Sequence, residues 1–258
     1  MTTDLMAELF EGLAAGEVTM HYQPRLDLRA GRFDAVEALI RWRHPTRGLI
    51  QPHSFLAEAE DRGRIAELTD WTLGEAVDGQ RALREAGYDL PVLVNLAGSL
   101  LKDEDFVVAA IDRVLADGAS LGFEISERAL VEETDTTLRA LETFRASGIA
   151  ISVDDFGAGL TSLTALKKAA ADSVKIDRGF IASIDEDVRD RLLVKSIIDL
   201  AHGLGLKAAA EGVESPAAIA LLAGMGCDHA QGYAIARPMP LGDVVTFIGS
   251  EVKRVARG

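Results

Sequence analysis

Short apolar runs alternate along this chain with longer segments of helical period. Leu5 to Ala15 reads as a helix. Two strand-like runs follow, Val18 to Leu26 and Phe33 to Trp42, with a turn near Ala30 and Gly31 between them. Parallel strands need a dozen or more connecting residues, so this pair is predicted to be an antiparallel hairpin. With the turn centred near residue 30, Gln23 and Glu37 fall opposite each other on one face.

Beyond the hairpin the rhythm becomes strand then helix. Helices are predicted over Pro52 to Glu60 and Ile65 to Ala86, ahead of a strand from Pro91 to Leu96. A helix from Glu104 to Ala116 leads to a strand from Leu121 to Ile125, and one from Thr134 to Ser147 leads to a strand from Ile149 to Asp154. A short helix after Ser162 precedes Ser173 to Ile176. Helices from Val188 to Gly203 and Pro216 to Ala223 precede strands from Leu206 to Ala210 and near His229 to Gly232. That makes eight strands. Their alternation with helices predicts an α/β fold, a TIM-like (β/α)8 barrel with one antiparallel strand from the N-terminal hairpin, over an open doubly wound sheet. No linker, low-complexity segment or repeat divides the chain.

Composition narrows the function classes. The 258 residues, 48% hydrophobic, suffice for an ordinary core. The N-terminus lacks a basic start followed by an apolar run, and no apolar stretch approaches the roughly 20 residues of a membrane helix. A cytoplasmic protein without membrane insertion is expected. Cys227 is the only cysteine, so it has no internal disulfide partner, and a buried structural thiol is the expected role. A formal charge of -14 argues against non-specific binding to nucleic acid or to an anionic membrane. An acidic pocket that handles phosphate needs divalent metal, because crowded carboxylates repel both one another and the substrate.

Polar residues on the apolar strands point to such a pocket. Glu37, Asn95, Glu124, Asp154 with Asp155, Lys175, Glu211 and Gln231 each sit on or beside a predicted strand, and barrel enzymes assemble their sites at strand ends. Successive strand residues face opposite ways, so Asp154 and Asp155 share a site only where the strand ends and turns. There they suit a two-metal centre; the alternative is a solvated turn that caps the helix near Ser162. Glu124 lies inside an apolar run, where a lone carboxylate is costly, which favours a ligand. Asn95 is either a buried hydrogen-bonding amide or a hard, neutral metal ligand. Glu127 is a loop anchor or a helix cap. Lys175, between Val174 and Ile176, pairs with the carboxylates in a barrel interior, or with Asp177 on a sheet face. Asp155-Phe156-Gly157 and Gly157-Ala158-Gly159 lack the companion motifs of a kinase or a dinucleotide fold, and the five histidines lack zinc spacing.

Taken in order, the motifs resemble the EAL domain family of bacterial cyclic di-GMP phosphodiesterases. They are Tyr22-Gln23-Pro24, Glu37-Ala38-Leu39-Ile40-Arg41-Trp42, Val94-Asn95-Leu96, Phe123-Glu124-Ile125-Ser126-Glu127, Asp154-Asp155-Phe156-Gly157, Val174-Lys175-Ile176-Asp177, Ala210-Glu211-Gly212-Val213-Glu214 and Gln231-Gly232-Tyr233. The resemblance runs from about residue 8 to residue 248 and implies one EAL-type domain. It implies hydrolysis of one phosphodiester of cyclic di-GMP to linear pGpG with Mg2+ or Mn2+, and inhibition by Ca2+. By the same resemblance, Glu37, Asn95, Glu124 and Asp154 hold a first metal, and Asp154 and Asp155 a second. Lys175 contacts the attacking water and Glu211 positions water or metal. Gln23, Arg41 and Gln231 bind substrate, and Glu127 steadies the loop after Asp155, which in the family also contributes to homodimer contacts.

The chain departs from the usual family pattern at Ala97, Ala158 and Leu160, where Ser, Thr and Tyr are common. None of the three is an implied ligand, so activity is expected to survive. A receptor that binds cyclic di-GMP without turnover and signals to a protein partner is the main rival. The complete ligand set favours the enzyme over it, and Arg41 with its Glu37-Ala38-Leu39 context argues against a barrel that cuts another phosphodiester.

Overall fold

The computed structural model describes residues 4–131, 134–159 and 163–255. Helix α1 (Leu5–Ala15) is capped by the Asp4 carboxylate and stops at Gly16 in the left-handed region. It leads into the hairpin β1 (Val18–Asp27) and β2 (Arg32–His44), whose register places Gln23 opposite Glu37, as the turn position predicted. A short strand β3 (Gly48–Ile50) folds back on the end of β2, and helices α2 (Pro52–Asp61) and α3 (Ile65–Glu85) follow.

The βα units come next: β4 (Val92–Leu96) and α4 (Glu104–Ala116), then β5 (Leu121–Ser126) with α5 (Glu127–Val131) and α6 (Asp135–Ala146). Strand β6 (Ala150–Phe156) leads to α7 (Leu163–Lys168), and β7 (Ser173–Ile176) to α8 (Arg178–Ile181) and α9 (Val188–Gly203). Last are β8 (Lys207–Ala210), α10 (Pro216–Met225), β9 (His229–Ala230) and α11 (Leu241–Val255). Ser162, and Leu160 of the loop departures, lie outside the described residues.

The sheet closes on itself. Its order is β1-β9-β8-β7-β6-β5-β4-β2, with β1 pairing back to β2 and β3 attached outside the ring. Strand β1 is antiparallel to both neighbours, while β2 and β4 to β9 run parallel. The ring is thus the predicted eight-stranded barrel, and the additional strand β3 had too few residues to show a period.

Alternation on the strands sorts the side chains. Outward residues such as Val94, Phe123, Ile125, Val153, Val174 and Ile176 are buried under the helices, and Phe123 meets Phe144 of α6 edge-on at 4.9 Å. The inward set is largely polar. Ser152 and Ser173 hydrogen-bond at 2.9 Å inside the barrel, and Glu124 and Lys175 lie above them toward the ends where the parallel strands finish.

Candidate active site

The C-terminal ends of the strands converge on Lys175. Its side chain is 1% exposed, and its ammonium meets Glu124 at 2.7 Å, Glu37 at 3.5 Å, Asp154 at 3.7 Å and the carboxylate of Glu211. These contacts join β7 to β5, β2, β6 and the end of β8. The pairing of Lys175 with Asp177 is not observed: Asp177 caps α8 by accepting from the Gly179 amide at 2.8 Å.

Amides hold Glu37 from the other side. Asn95 donates to Glu37 Oε1 at 2.8 Å, and Gln231 donates to Glu37 Oε2 at 2.7 Å and to Gln23 Oε1 at 3.2 Å. Gln23 in turn donates to the Ala236 carbonyl at 2.9 Å. Gln23 and Gln231, implied as substrate contacts, are both buried and spend these amides on Glu37 and the chain. The approach behind Gln231 is close: a Cβ on Gly232 would lie 2.2 Å from the Val213 backbone, so only glycine fits there.

The strand carrying Asp154 and Asp155 does not end at Asp154 as predicted. Strand β6 continues to Phe156 and turns within itself. Val153 and Phe156 pair with Val174 and Ile176, so β6 holds one residue more than β7 across this interval. Asp155 takes up the difference at φ 55°, the one non-glycine residue at positive φ among the described residues. Aspartate tolerates this conformation better than most residues. Carboxylate oxygens of Asp154, Asp155 and Glu211 then lie within 4.8 Å of one another. Glu211, expected beside the metal as a residue that positions water or metal, therefore lies among the oxygen donors themselves.

Glu127 opens α5 and is buried, and its Oε2 accepts from the Gly157 and Gly159 amides at 2.9 and 3.0 Å. This ties down the chain immediately after Asp155. Ala158 within that loop is exposed.

Charge crowding sets the protonation behaviour. Burial pushes the Glu124 carboxyl well above its usual range, the negative charge of Glu37 adds to this, and Lys175 offsets only part. Burial also opposes ionisation of Glu37, yet Lys175 and the amides of Asn95 and Gln231 outweigh it and hold the group below its ordinary value. Glu211 is pushed up to about 8 by burial, with Lys175 opposing and Asp154 and Glu37 adding to the rise. Asp155 is raised by burial and by Asp154. Burial disfavours the charged form of Lys175, but Glu124, Glu37, Glu211 and Asp154 keep it protonated.

One ammonium does not balance these acids. Glu124 Oε1 is buried without a hydrogen-bond partner, and the remaining donors are hard oxygens. Such a donor set fits a divalent cation. Beside it opens a cleft of about 800 Å3 whose wall includes Arg41, Asn95, Glu124, Asp154 and Asp155. Arg41 donates from Nη1 to the Ile40 carbonyl at 2.8 Å and presents its guanidinium to this cleft.

Away from the cleft, Cys227 is buried, donates to the carbonyls of Ala208 and His229 at 3.3 Å, and is pushed up to about 12 by burial. No helix among the described residues is long and apolar enough to cross a membrane.

Comparison with known proteins accounts for this arrangement. The family model described as EAL domain matches residues 6–238. The chain is 40% identical over 245 residues to the cyclic di-GMP phosphodiesterase NbdA of Pseudomonas aeruginosa, covering 93% of this chain and 31% of that protein. It is 33% identical over 240 residues to the cyclic di-GMP phosphodiesterase PdeR of Escherichia coli K12, covering 92% and 36%. The solved structure of the PaMucR phosphodiesterase in complex with c-di-GMP matches with a TM-score of 0.88 at 36% identity, over 93% of this chain and 99% of that one. The chain spans about a third of the length of these curated relatives. Because the match takes in every strand of the barrel and every member of the acidic cluster, it shows that this chain belongs to the EAL domain family.

Proposed function

We propose that this chain is one EAL unit, with its core over residues 8–248, that hydrolyses one phosphodiester of cyclic di-GMP to linear pGpG with Mg2+ or Mn2+. The convergence of Glu37, Glu124, Asp154 and Glu211 on the buried Lys175, with Glu124 Oε1 left unpaired, is the observation that carries this reading. The names of the relatives and the c-di-GMP complex of PaMucR support the choice of substrate.

Glu37, Asn95, Glu124 and Asp154 would hold one ion, and Asp154 with Asp155 a second, with Glu211 within reach of both aspartates. Bound divalent ions supply Lewis acidity that makes water acidic near neutral pH and stabilises charge on attacking and leaving oxygens. Lys175 fixes the carboxylates in place and orients the attacking water. Glu211, paired with Lys175 and within reach of both aspartates, is suited to position the attacking water or an ion. Arg41 faces the substrate in the cleft, while Gln231 acts mainly by fixing Glu37 and Gln23 by holding Gln231. Glu127 holds the loop that sets Asp155. The enzyme acts in the cytoplasm as a homodimer, lowers the second-messenger level, and is inhibited by Ca2+.

Purified protein incubated with cyclic di-GMP and Mg2+, Mn2+ or Ca2+, with nucleotides resolved over time, tests this function. The expected product with Mg2+ or Mn2+ is pGpG, and little forms with Ca2+. Binding of cyclic di-GMP by folded protein without pGpG in either activating metal would sink the enzyme in favour of a receptor.

A further inference from the structure

The wall of the cleft is acidic well beyond the metal donors. Glu60 and Asp61 at the end of α2 line it together with Glu124, Asp154 and Asp155. A cyclic dinucleotide brings two phosphodiesters into this space, each with one negative charge. The acidic cluster would hold the divalent ions that offset the charge of the phosphate that is cut. The other phosphate enters the same acidic cleft and is repelled unless a separate cation meets it.

Three cationic side chains line that wall. Arg41, which gives one N–H to the Ile40 carbonyl, is the one already assigned to substrate, and Lys102 has a partner of its own. Arg128 is different: it lines the same cleft, is exposed, and among the described residues makes no hydrogen bond or ion pair. It follows Glu127 in α5, whose buried carboxylate binds the Gly157 and Gly159 amides beyond Asp155, which sets its Cα beside the loop that carries a proposed ligand. A guanidinium offers a planar pair of N–H donors that matches two phosphate oxygens, and this rigid fork loses less freedom per hydrogen bond than an ammonium would.

We propose that Arg128 receives the phosphodiester of the cyclic dinucleotide that is not cut, and so selects substrates with two phosphates over simple diesters. This rests on the reading that the cleft takes cyclic di-GMP. Arg128 in this role is a specificity residue that contributes nothing to proton transfer.

Hydrolysis of cyclic di-GMP is compared with that of bis(4-nitrophenyl) phosphate, a diester with a single phosphate, for the full chain and for Arg128→Ala and Arg128→Lys. The ratio of kcat/KM between the two substrates is expected to fall about five- to tenfold in Arg128→Ala, mainly through KM for cyclic di-GMP, and to recover in part in Arg128→Lys. An unchanged ratio overturns the assignment, including the case in which both substrates slow equally. If the unsubstituted chain cuts neither diester, the phosphodiesterase reading fails by itself, and calorimetric binding of cyclic di-GMP with Ca2+ becomes the measurement. Affinity weakened by a similar factor in Arg128→Ala then supports the role; equal affinity, or no binding by the unsubstituted chain, overturns it.

Discussion

Lys175 donates to Glu124 at 2.7 Å from a position 51 residues away in sequence, and both side chains are buried. This pair is the electrostatic pivot of the cluster. Each partner alone would be costly inside the barrel, and together they still leave Glu37, Asp154 and Glu211 in excess.

Replacing Lys175 with Met removes the buried ammonium at the centre of the cluster and leaves the acids uncompensated. Metal-free protein is expected to lose about 3–5 kcal/mol of stability, with part regained on adding Mg2+. Urea unfolding in EDTA and in Mg2+ measures both. Unaltered stability in EDTA would show that Lys175 is not the neutralising group. Turnover is expected to fall at least about a hundredfold.

Glu37 gathers three donors, Asn95, Gln231 and Lys175. In Glu37→Ala a proposed ligand disappears and these donors lose their acceptor. Turnover of cyclic di-GMP is expected to vanish, and near-normal rates would refute the role of Glu37 as a ligand.

Glu211, with a carboxyl near 8 in metal-free protein, binds its proton more tightly folded than unfolded, where 4.5 is ordinary. Stability of metal-free protein therefore falls as pH rises between these values. His229 works in the other direction: burial lowers its imidazole below 6.5, so its contribution rises with pH up to that point. The slope from Glu211 is clearest from pH 7 to 8, where His229 is neutral in both states. Melting temperatures in EDTA are expected to fall over that interval and to fall less steeply in Glu211→Gln, where Glu124 alone of the two strongly raised carboxyls remains; the same slope in both proteins counts against Glu211.

Divalent metal reverses that trend, because the ion competes with the proton. At a hundredfold excess over its dissociation constant, Mg2+ or Mn2+ is expected to stabilise the protein by about 2.7 kcal/mol. Asp154→Asn is expected to lose most of the resulting shift in melting temperature. An equal shift in that variant places the ion elsewhere.

Glu127→Ala releases the Gly157 and Gly159 amides. Hydrogen exchange at these two positions is expected to accelerate, with turnover reduced about ten- to a hundredfold. Glu127→Gln keeps an acceptor and is expected to retain more of both. Equal protection in all three proteins would show that the loop is held by other contacts.

Much of the fold was legible because period and connection length are local properties. The hairpin gap set the Gln23 and Glu37 register, and the segments Glu104–Ala116, Ser173–Ile176 and Val188–Gly203 appear with the predicted bounds. Strand β3 and the four-residue helix α8 were too short to show a period. Leu241–Val255 is long enough to have shown a helical period, and its absence from the predicted elements is an omission. Polar residues inside apolar runs, Glu124 and Lys175 above all, marked the site because burial of a lone charge demands a partner.

The sequence by itself determined the alternation of strands and helices, the reversed first strand and the identity of the acids that need a cation. It did not determine how those acids meet. Tertiary structure decided that β6 bulges at Asp155 instead of ending at Asp154, that Glu211 stands among the donors, and that Gln231 donates to Glu37 while Gln23 accepts from Gln231. Each of these depends on closing the ring. The offset between neighbouring strands and the approach of β9 to β1 exist only once all eight strands are paired, and no local pattern of residues encodes a distance across the barrel.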